Sequence, residues 1–448
     1  MTNYTEYRLA FLLPQTRQLL AIKGRREAEL PRIGIPKWSR AAEQLTGLIC
    51  KKWNIKTTVL DLIESDSGAS PCAILEVRTP NWRSEQAGFS AVALNHISLS
   101  DNELQCLMGI LLDDDTTRSP FSRPGWIVEA QRWIQESVRS RVVEFSEEID
   151  QLSTGGHFVL VRFGARKGPA YWLKATGLPN AHEFTVTRTL AQHFPQFLPP
   201  LVAAREDWNA WVMEEVGRTL REDFSSSNLA RATRSLASLQ KRSISLVGNL
   251  ISNGCCDQRL PRIEAHIDAW IDYLEEVMEY QVSTQVPRLG RNELLEIGGI
   301  LHAACAQMQE LNIPESLTHN DINPGNILLD DTRCVFIDWA EASVGNPFLT
   351  FQLLMQHVVR QGEGVRGWEV QARFIYKELW LNLLPEPVVD RAFILAPVLA
   401  IANCLYGRGD WLNSPRRADF NFQSYTRSLA RHLHRATRSP ELLEALCI

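Results

Sequence analysis

His319, Asp321, Asn326 and Asp338 are the residues whose types and spacing could do chemistry. The first three lie in LTHNDINPGNILLDD, Leu317 to Asp331, and the fourth in CVFIDWAE just downstream. A carboxylate, a carboxamide five residues later and a second carboxylate twelve residues after that form a set of oxygen donors. A hard divalent cation such as Mg2+ takes oxygen ligands and usually leaves other positions for water and substrate phosphates. The pattern therefore points to a metal-nucleotide site. Its plainer reading is a turn, since Asn, Asp, Pro and Gly are what turns are made of.

The same residues resemble the catalytic loop and metal-binding aspartate of the aminoglycoside phosphotransferase and choline kinase family, small-molecule kinases with a protein-kinase-like fold. The resemblance rests on His319-Asn320-Asp321, then Pro324-Gly325-Asn326, then Asp338 closing an apolar run. It implies that Asp321 orients the acceptor hydroxyl and takes its proton late, as a general base. It also implies that Asn326 and Asp338 hold Mg2+ against the phosphates of ATP, while His319 braces the loop.

An upstream half is implied as well. Lys174, in AYWLKATG, stands where the family's phosphate-anchoring lysine is expected, and Glu183 opens the next helix as its ion-pair partner. Ser153, Thr154, Gly155 and Gly156 would be the phosphate-covering loop, glycines letting backbone N–H groups approach the anions. WVMEEVG, with Met213, Glu214 and Val216, resembles the hinge whose backbone receives adenine. Taken singly, a lysine at a strand end is a solvated charge and a Gly-Gly turn is a plain hairpin. Those readings leave unexplained why Lys, Glu, His, Asp, Asn and Asp occur in kinase order. Two departures stand out: Thr350 occupies a position near which the family often has Asp, and Trp339 rather than Phe-Gly follows Asp338.

These residues need elements to position them. Three apolar runs between Val142 and Gly177, separated by Ser-Thr-Gly-Gly and Gly-Ala-Arg-Lys-Gly-Pro turns, predict three antiparallel strands. A helix, HEFTVTRTLAQHF, and two short runs follow, and from about Leu229 the chain is mainly helical. Upstream, YRLAFLLPQTRQLLAI reads as a hairpin. SRAAEQLTGLICKKWNI reads as a helix behind Ser39 as a candidate cap, and KTTVLDLIES and PCAILEVR read as strands. DDDTTRSPFSRPG, Asp113 to Gly125, reads as a linker, and Trp126, Ile127, Ala130, Trp133, Ile134 and Val138 fall at helical spacing after it.

The expected organisation is α+β, a two-lobed protein-kinase-like phosphotransferase fold preceded by a small α+β domain. Its parts are an N-terminal module over 1–112, a linker over 113–125, a connecting helix and N-lobe with hinge over 126–216, and a helical C-lobe over 217–448. The N-terminal order of strands and helix is weakly similar to the Nudix fold. Members of that family bind Mg2+ on an Arg-Glu-x-x-Glu-Glu helix, whereas this helix offers only Glu43. The module is accordingly read as non-catalytic.

Composition narrows the function. Apolar residues at 45% and charged residues at 22% fit a folded globular chain. A net charge of -5 removes the simplest argument for nucleic-acid binding. Nine scattered cysteines without metal-ligand spacing fit reduced thiols in a cytoplasm. The start carries no pattern of a secretory signal, and the apolar run AFILAPVLAIANCLY reads as a buried helix too short to span a bilayer comfortably. The final segment, Gln361 to Ile448, has nine Asp and Glu against eleven Lys and Arg, which speaks against a polycationic aminoglycoside as acceptor. Trp368, Trp380, Tyr406 and Trp411 could wall an acceptor site, though aromatic residues at helical spacing are more often core. The expectation is an ATP- and Mg2+-dependent kinase of a small-molecule hydroxyl. The alternative is a pseudokinase or nucleotide-sensing binding protein.

Overall fold

A computed structural model describes residues 4–13, 16, 18–23, 28–64, 70–79, 88–112, 119–138, 142–155, 158–408 and 415–448. The chain divides into two compact units, Met1–Phe184 with Pro200–Glu215, and Thr185–Pro199 with Val216–Ile448.

The first unit opens with β1 (Tyr4–Leu13), β2 (Gln18–Lys23), β3 (Ala28–Glu29), β4 (Arg32–Pro36), α1 (Ala41–Trp53), β5 (Thr57–Ile63), β6 (Cys72–Val77), β7 (Phe89–Val92) and α2 (Asp101–Leu112). Helix α3 (Trp126–Ser137) follows, then β8 (Phe145–Ser153), β9 (Phe158–Ala165), β10 (Tyr171–Thr176), the start of α4 (Glu183–His193), β11 (Leu201–Arg205) and β12 (Ala210–Glu214). The expected hairpin forms, with Phe11 opposite Leu20 in antiparallel register, while β1 pairs in parallel with β6. The resulting mixed sheet runs β3-β2-β1-β6-β5, with β4 added to β1 and β7 to β2.

Both faces of this sheet are covered, which explains the unbroken apolar run in β1. Side chains alternate across a strand, so Leu9 and Phe11 meet Leu45 and Ile49 of α1, whereas Ala10 and Leu12 join the core of α3. That second core also takes Val159 and Val161 of β9, Tyr171 and Leu173 of β10, and Val212 of β12. One apolar interior thus serves the N-terminal sheet, α3 and the antiparallel sheet β11-β12-β10-β9-β8. The Ser39 cap is corrected: α1 starts after Arg40 with no side-chain cap, and Ser39 Oγ instead donates to Pro36 O at 2.6 Å. In the expected linker, residues 113–118 lie outside the described residues, and Pro120–Ser122 form a short turn of 3-10 helix.

The second unit holds the rest of α4, then β13 (Arg218–Thr219), α5 (Ser226–Ser243), α6 (Val247–Ser252), β14 (Cys256–Gln258), α7 (Leu260–Glu264), α8 (Ile267–Glu279) and α9 (Arg291–Glu310). Next come β15 (Ser316–His319), β16 (Ile327–Leu329), β17 (Cys334–Phe336) and β18 (Ala342–Gly345). Helices α10 (Pro347–Val359), α11 (Arg366–Trp380), α12 (Glu386–Tyr406), α13 (Phe420–Ala436) and α14 (Pro440–Leu446) complete it. Two small sheets, β13-β16-β17 and β14-β18-β15, interrupt the helices. The apolar run expected to be too short for a membrane lies in α12, whose 21 residues are long and apolar enough by length and composition, yet two thirds of its apolar window is buried inside the protein. Trp380 and Tyr406 are core residues, Trp380 against Phe348 and Tyr406 against Trp270. Trp368 packs on Phe224, and Trp411 lies outside the described residues.

The fold is α+β. An antiparallel five-stranded sheet with its helix is followed by a mainly helical part with two small inserted sheets and preceded by a mixed N-terminal sheet, the expected α+β order.

Candidate active site

In the first unit, the register of β10 places Lys174 between Leu160 of β9 and Trp211 of β12. Its Nζ lies 2.5 Å from Glu183 Oε1, at the first residue of α4. Both side chains are buried, and the ammonium also lies 5.4 Å from the ring centre of Phe158 and 5.7 Å from that of Trp211. Removing one partner of such a pair leaves an uncompensated charge inside.

Ser153 ends β8, and its Oγ donates to Phe158 O at 3.3 Å. Thr154 and Gly155 follow, Gly155 at φ +125, a conformation suited to glycine. Gly156 lies outside the described residues. At the expected hinge, Glu214 ends β12 opposite Tyr171, and its N–H donates to Pro200 O at 3.0 Å. The next residue, Glu215, accepts from Arg162 Nε at 2.6 Å and Trp172 Nε1 at 3.0 Å. These hydrogen bonds, with a second from Arg162 Nη2 to Oε2 at 3.0 Å, hold its carboxyl below the usual range, Arg162 being the main cause.

In the second unit, Val216 is buried. Gly217 passes so close to β16 that a Cβ on it would lie 1.8 Å from Leu329 O, so only glycine fits there.

The loop between β15 and β16 carries Asp321. Asn326 Nδ2 donates to Asp321 Oδ2 at 2.9 Å and to its backbone O at 2.8 Å, while Asn323 Nδ2 reaches Oδ1 at 3.2 Å. Asn323 Oδ1 in turn accepts from Gly325 N at 2.8 Å and Arg221 Nη2 at 3.0 Å. The loop is thus a closed set of side-chain to backbone bonds, the arrangement Asn and Asp favour in turns. Asp321 is solvent-accessible, which leaves its carboxylate open to a ligand.

Hairpin β16–β17 brings Asn326 and Asp338 to the same end. Ile327 is opposite Phe336, and Ile337 N donates to Asn326 O at 3.1 Å. Asp338 adopts φ +66 and ψ +65, left-handed backbone that an aspartate enters at a cost. The Asn326 amide nitrogen is engaged by Asp321, and Asn326 and Asp338 both carry side-chain oxygens of the hard type that a divalent cation such as Mg2+ takes. Among the described residues, no group of three His, Cys, Asp or Glu side chains forms a metal cluster of another kind.

His319 is buried. Its Nε2 donates to Ile337 O at 2.9 Å, and its ring lies 4.6 Å from that of Trp339. Its N–H donates to Thr350 Oγ1 at 3.2 Å. Thr350 is itself fully buried, so the residue at the departing position bonds the backbone at the end of β15, just before Asp321, directly.

Sequence reasoning missed the network behind the loop. Asn320 Nδ2 donates to Gln258 Oε1 at 2.6 Å and Ser343 Oγ at 3.0 Å, and Asn403 of α12 donates to Asn320 Oδ1 at 2.8 Å. These partners come from β14, β18 and α12, remote in sequence and without local motif. A cavity of about 430 Å³ is lined by residues of α10, α11, α12 and α13, among them Arg360, Arg435, His432 and a single carboxylate, Glu369. His357, on α10, has its pKa lowered by burial and by Arg360, with Asp321 opposing. The end of α10 is therefore within electrostatic reach of Asp321.

Residues 179–366 match the model of the Phosphotransferase enzyme family. The matched span is under half of the chain; it holds Glu183, Asp321, Asn326 and Asp338, and it begins after Lys174. No curated protein matches the chain. Among solved structures, the chain is similar to a choline/ethanolamine kinase family protein from Mesorhizobium loti, at 15% identity and a TM-score of 0.45, over 72% of this chain and 98% of that one. It is also similar to an ethanolamine kinase from Plasmodium vivax, at 13% identity and TM-score 0.45, over 78% and 96%. A third is a macrolide 2'-phosphotransferase from Brachybacterium faecium, at 15% identity and TM-score 0.43, over 67% and 97%. The family match supports a kinase-type phosphotransferase.

Proposed function

We propose that the protein is an ATP- and Mg2+-dependent phosphotransferase that moves the γ-phosphate of ATP to a hydroxyl of a small molecule. The observation that carries this reading is the Asp321 loop, a solvent-accessible carboxylate fixed by Asn326 and Asn323, with Asn326 at the same end of hairpin β16–β17 as Asp338. The family match over the same loop supports it.

Each residue then has a role. Lys174, steered by Glu183, contacts the ATP phosphates; the backbone of Glu214 and Val216 receives the adenine. Asp321 accepts the hydrogen bond of the acceptor hydroxyl and takes its proton as the acceptor oxygen bonds to the γ-phosphorus and the bond to ADP breaks. Asn326 and Asp338 would hold Mg2+, which when bound neutralises phosphate charge. The 1–112 module is proposed as non-catalytic, its α1 carrying the one exposed carboxylate Glu43. The cytoplasm is the proposed location, with no membrane or nucleic acid as partner.

The acceptor class follows from charge. Two arginines against one glutamate in the α10–α11–α12–α13 cavity suit a neutral or anionic hydroxyl compound better than a polycation. The experiment is an ATP-consumption screen over sugars, nucleosides, amino alcohols, amino sugars and antibiotics, with Asp321→Ala as control. Turnover that the variant abolishes is the expected result. ATP binding with no turnover across the panel would make the protein a nucleotide-sensing binding protein instead.

A further inference from the structure

Among the described residues, β5 ends one sheet of the first unit and β8 ends the other, each without a further strand beside it. Exposed edges template unwanted pairing, and proteins cover them. Here a side chain pairs with the edge. Gln151 of β8 accepts the N–H of Val59 on its Oε1 at 2.8 Å and donates Nε2 to Val59 O at 2.8 Å, so its carboxamide pairs with Val59 as a neighbouring strand would. Gln151 is 3% exposed.

Both strands are irregular where they meet. The register of β5 on β6 slips between Val59 and Asp61, and that of β8 on β9 slips between Gln151 and Ser153. Bulges re-aim backbone and side chains next to functional sites. Thr154, immediately past the β8 irregularity, donates its Oγ1 to the same Val59 O at 3.0 Å. An ion pair between Lys56 and Glu147 adds a third tie between the two strands. One backbone carbonyl of the N-terminal sheet therefore receives both Gln151 and Thr154, the residues that lead into Gly155.

We propose that the N-terminal sheet is a positioning element of the nucleotide site, with Val59, through Gln151 and Thr154, setting the conformation of Thr154 and Gly155, where the β8–β9 connection begins. The inference rests on the phosphotransferase reading, because it gives that connection a phosphate to cover. It assigns Thr154 a different task from phosphate contact: its hydroxyl proton is committed to Val59 O. Gln151 and Thr154 are positioning residues, acting through the backbone of Gly155.

The test uses the full-length chain. Thr154→Val, Thr154→Ser and Gln151→Met are compared with the wild type for ATP KM, kcat, and affinity for adenosine, which lacks phosphates, with unfolding midpoints measured alongside. Loss of one hydrogen bond that orders the connection should raise the ATP KM about 3- to 10-fold, leave adenosine affinity at the wild-type value, and be restored by Thr154→Ser. Because Gln151 is buried and its variant can fail to fold, half-exposed Thr154 carries the decision. Equal weakening of ATP and adenosine, or an unchanged ATP KM in Thr154→Val, overturns the inference. A wild type that binds no ATP overturns the phosphotransferase reading itself, so the two failures are told apart.

Discussion

Asn326 donates its amide hydrogen to Asp321 Oδ2 at 2.9 Å, tying the proposed metal ligand to the proposed base. The two roles are therefore coupled through one carboxamide. Asp321→Ala should lower kcat by about 10²- to 10⁴-fold, the usual contribution of a positioned base. Asn326→Ala should lower kcat and also raise the Mg2+ concentration needed for half-maximal rate, since it removes a brace and an oxygen ligand together. Steady-state kinetics with varied Mg2+ check both; a variant with lower kcat and unchanged Mg2+ requirement would reduce Asn326 to a brace.

Lys174 and Glu183 form a buried pair, so their substitution is read in stability as well as activity. Lys174→Met alone removes the ion-pair partner of buried Glu183 and should cost about 3 to 5 kcal/mol. The double variant Lys174→Met with Glu183→Leu should recover most of that loss while remaining unable to bind ATP tightly. Urea denaturation and nucleotide titration on the three proteins separate folding from function.

Asp338 sits in left-handed backbone at φ +66. Asn tolerates this region as well as Asp does, so Asp338→Asn should keep the unfolding midpoint yet lose at least about 10²-fold in turnover, charge near the phosphates being the dominant catalytic term. A thermal melt beside a rate measurement checks it; equal turnover would remove Asp338 from the metal site.

Glu315, just before β15, gives a pH dependence. Burial pushes its carboxyl from the ordinary 4.5 up to about 7, with Arg259 opposing and Asp257 reinforcing. Its Oε2 is buried without a hydrogen-bond partner among the described residues. The folded state thus holds a proton that the unfolded state releases near 4.5. The contribution is fully present below that pH and is lost as pH rises through about 7. Glu315→Gln should be more stable than the wild type at pH 8, by at most about 3 kcal/mol, with the gap closing by pH 5. Denaturant midpoints across that range are the measurement.

The kinase-type elements were legible because their signals are local. Hydrophobic alternation located β8, β9 and β10, and helical spacing located α3 and α4. The residues of the Asp321 loop lie within a short stretch and bond mostly to one another. Local rules misled at Ser39, where a cap residue one position too early turned its hydroxyl back to Pro36. Trp380 and Tyr406 looked available as aromatic walls, but packing against Phe348 and Trp270 takes them into the core.

By itself the sequence carried much of the order of elements, the Lys174, Glu183, Asp321, Asn326 and Asp338 set, and the glycine at Gly155, because backbone preference and short spacing are written in neighbouring residues. Tertiary structure alone decided that Gln258, Ser343 and Asn403 hold Asn320, that Thr350 carries the His319 amide, and that the N-terminal sheet shares a core with the antiparallel sheet and grips its edge through Gln151. The reason is physical. These groups are buried polar atoms whose partners come from distant segments, and burial obliges each to find a hydrogen bond without fixing in the sequence which residue will supply it.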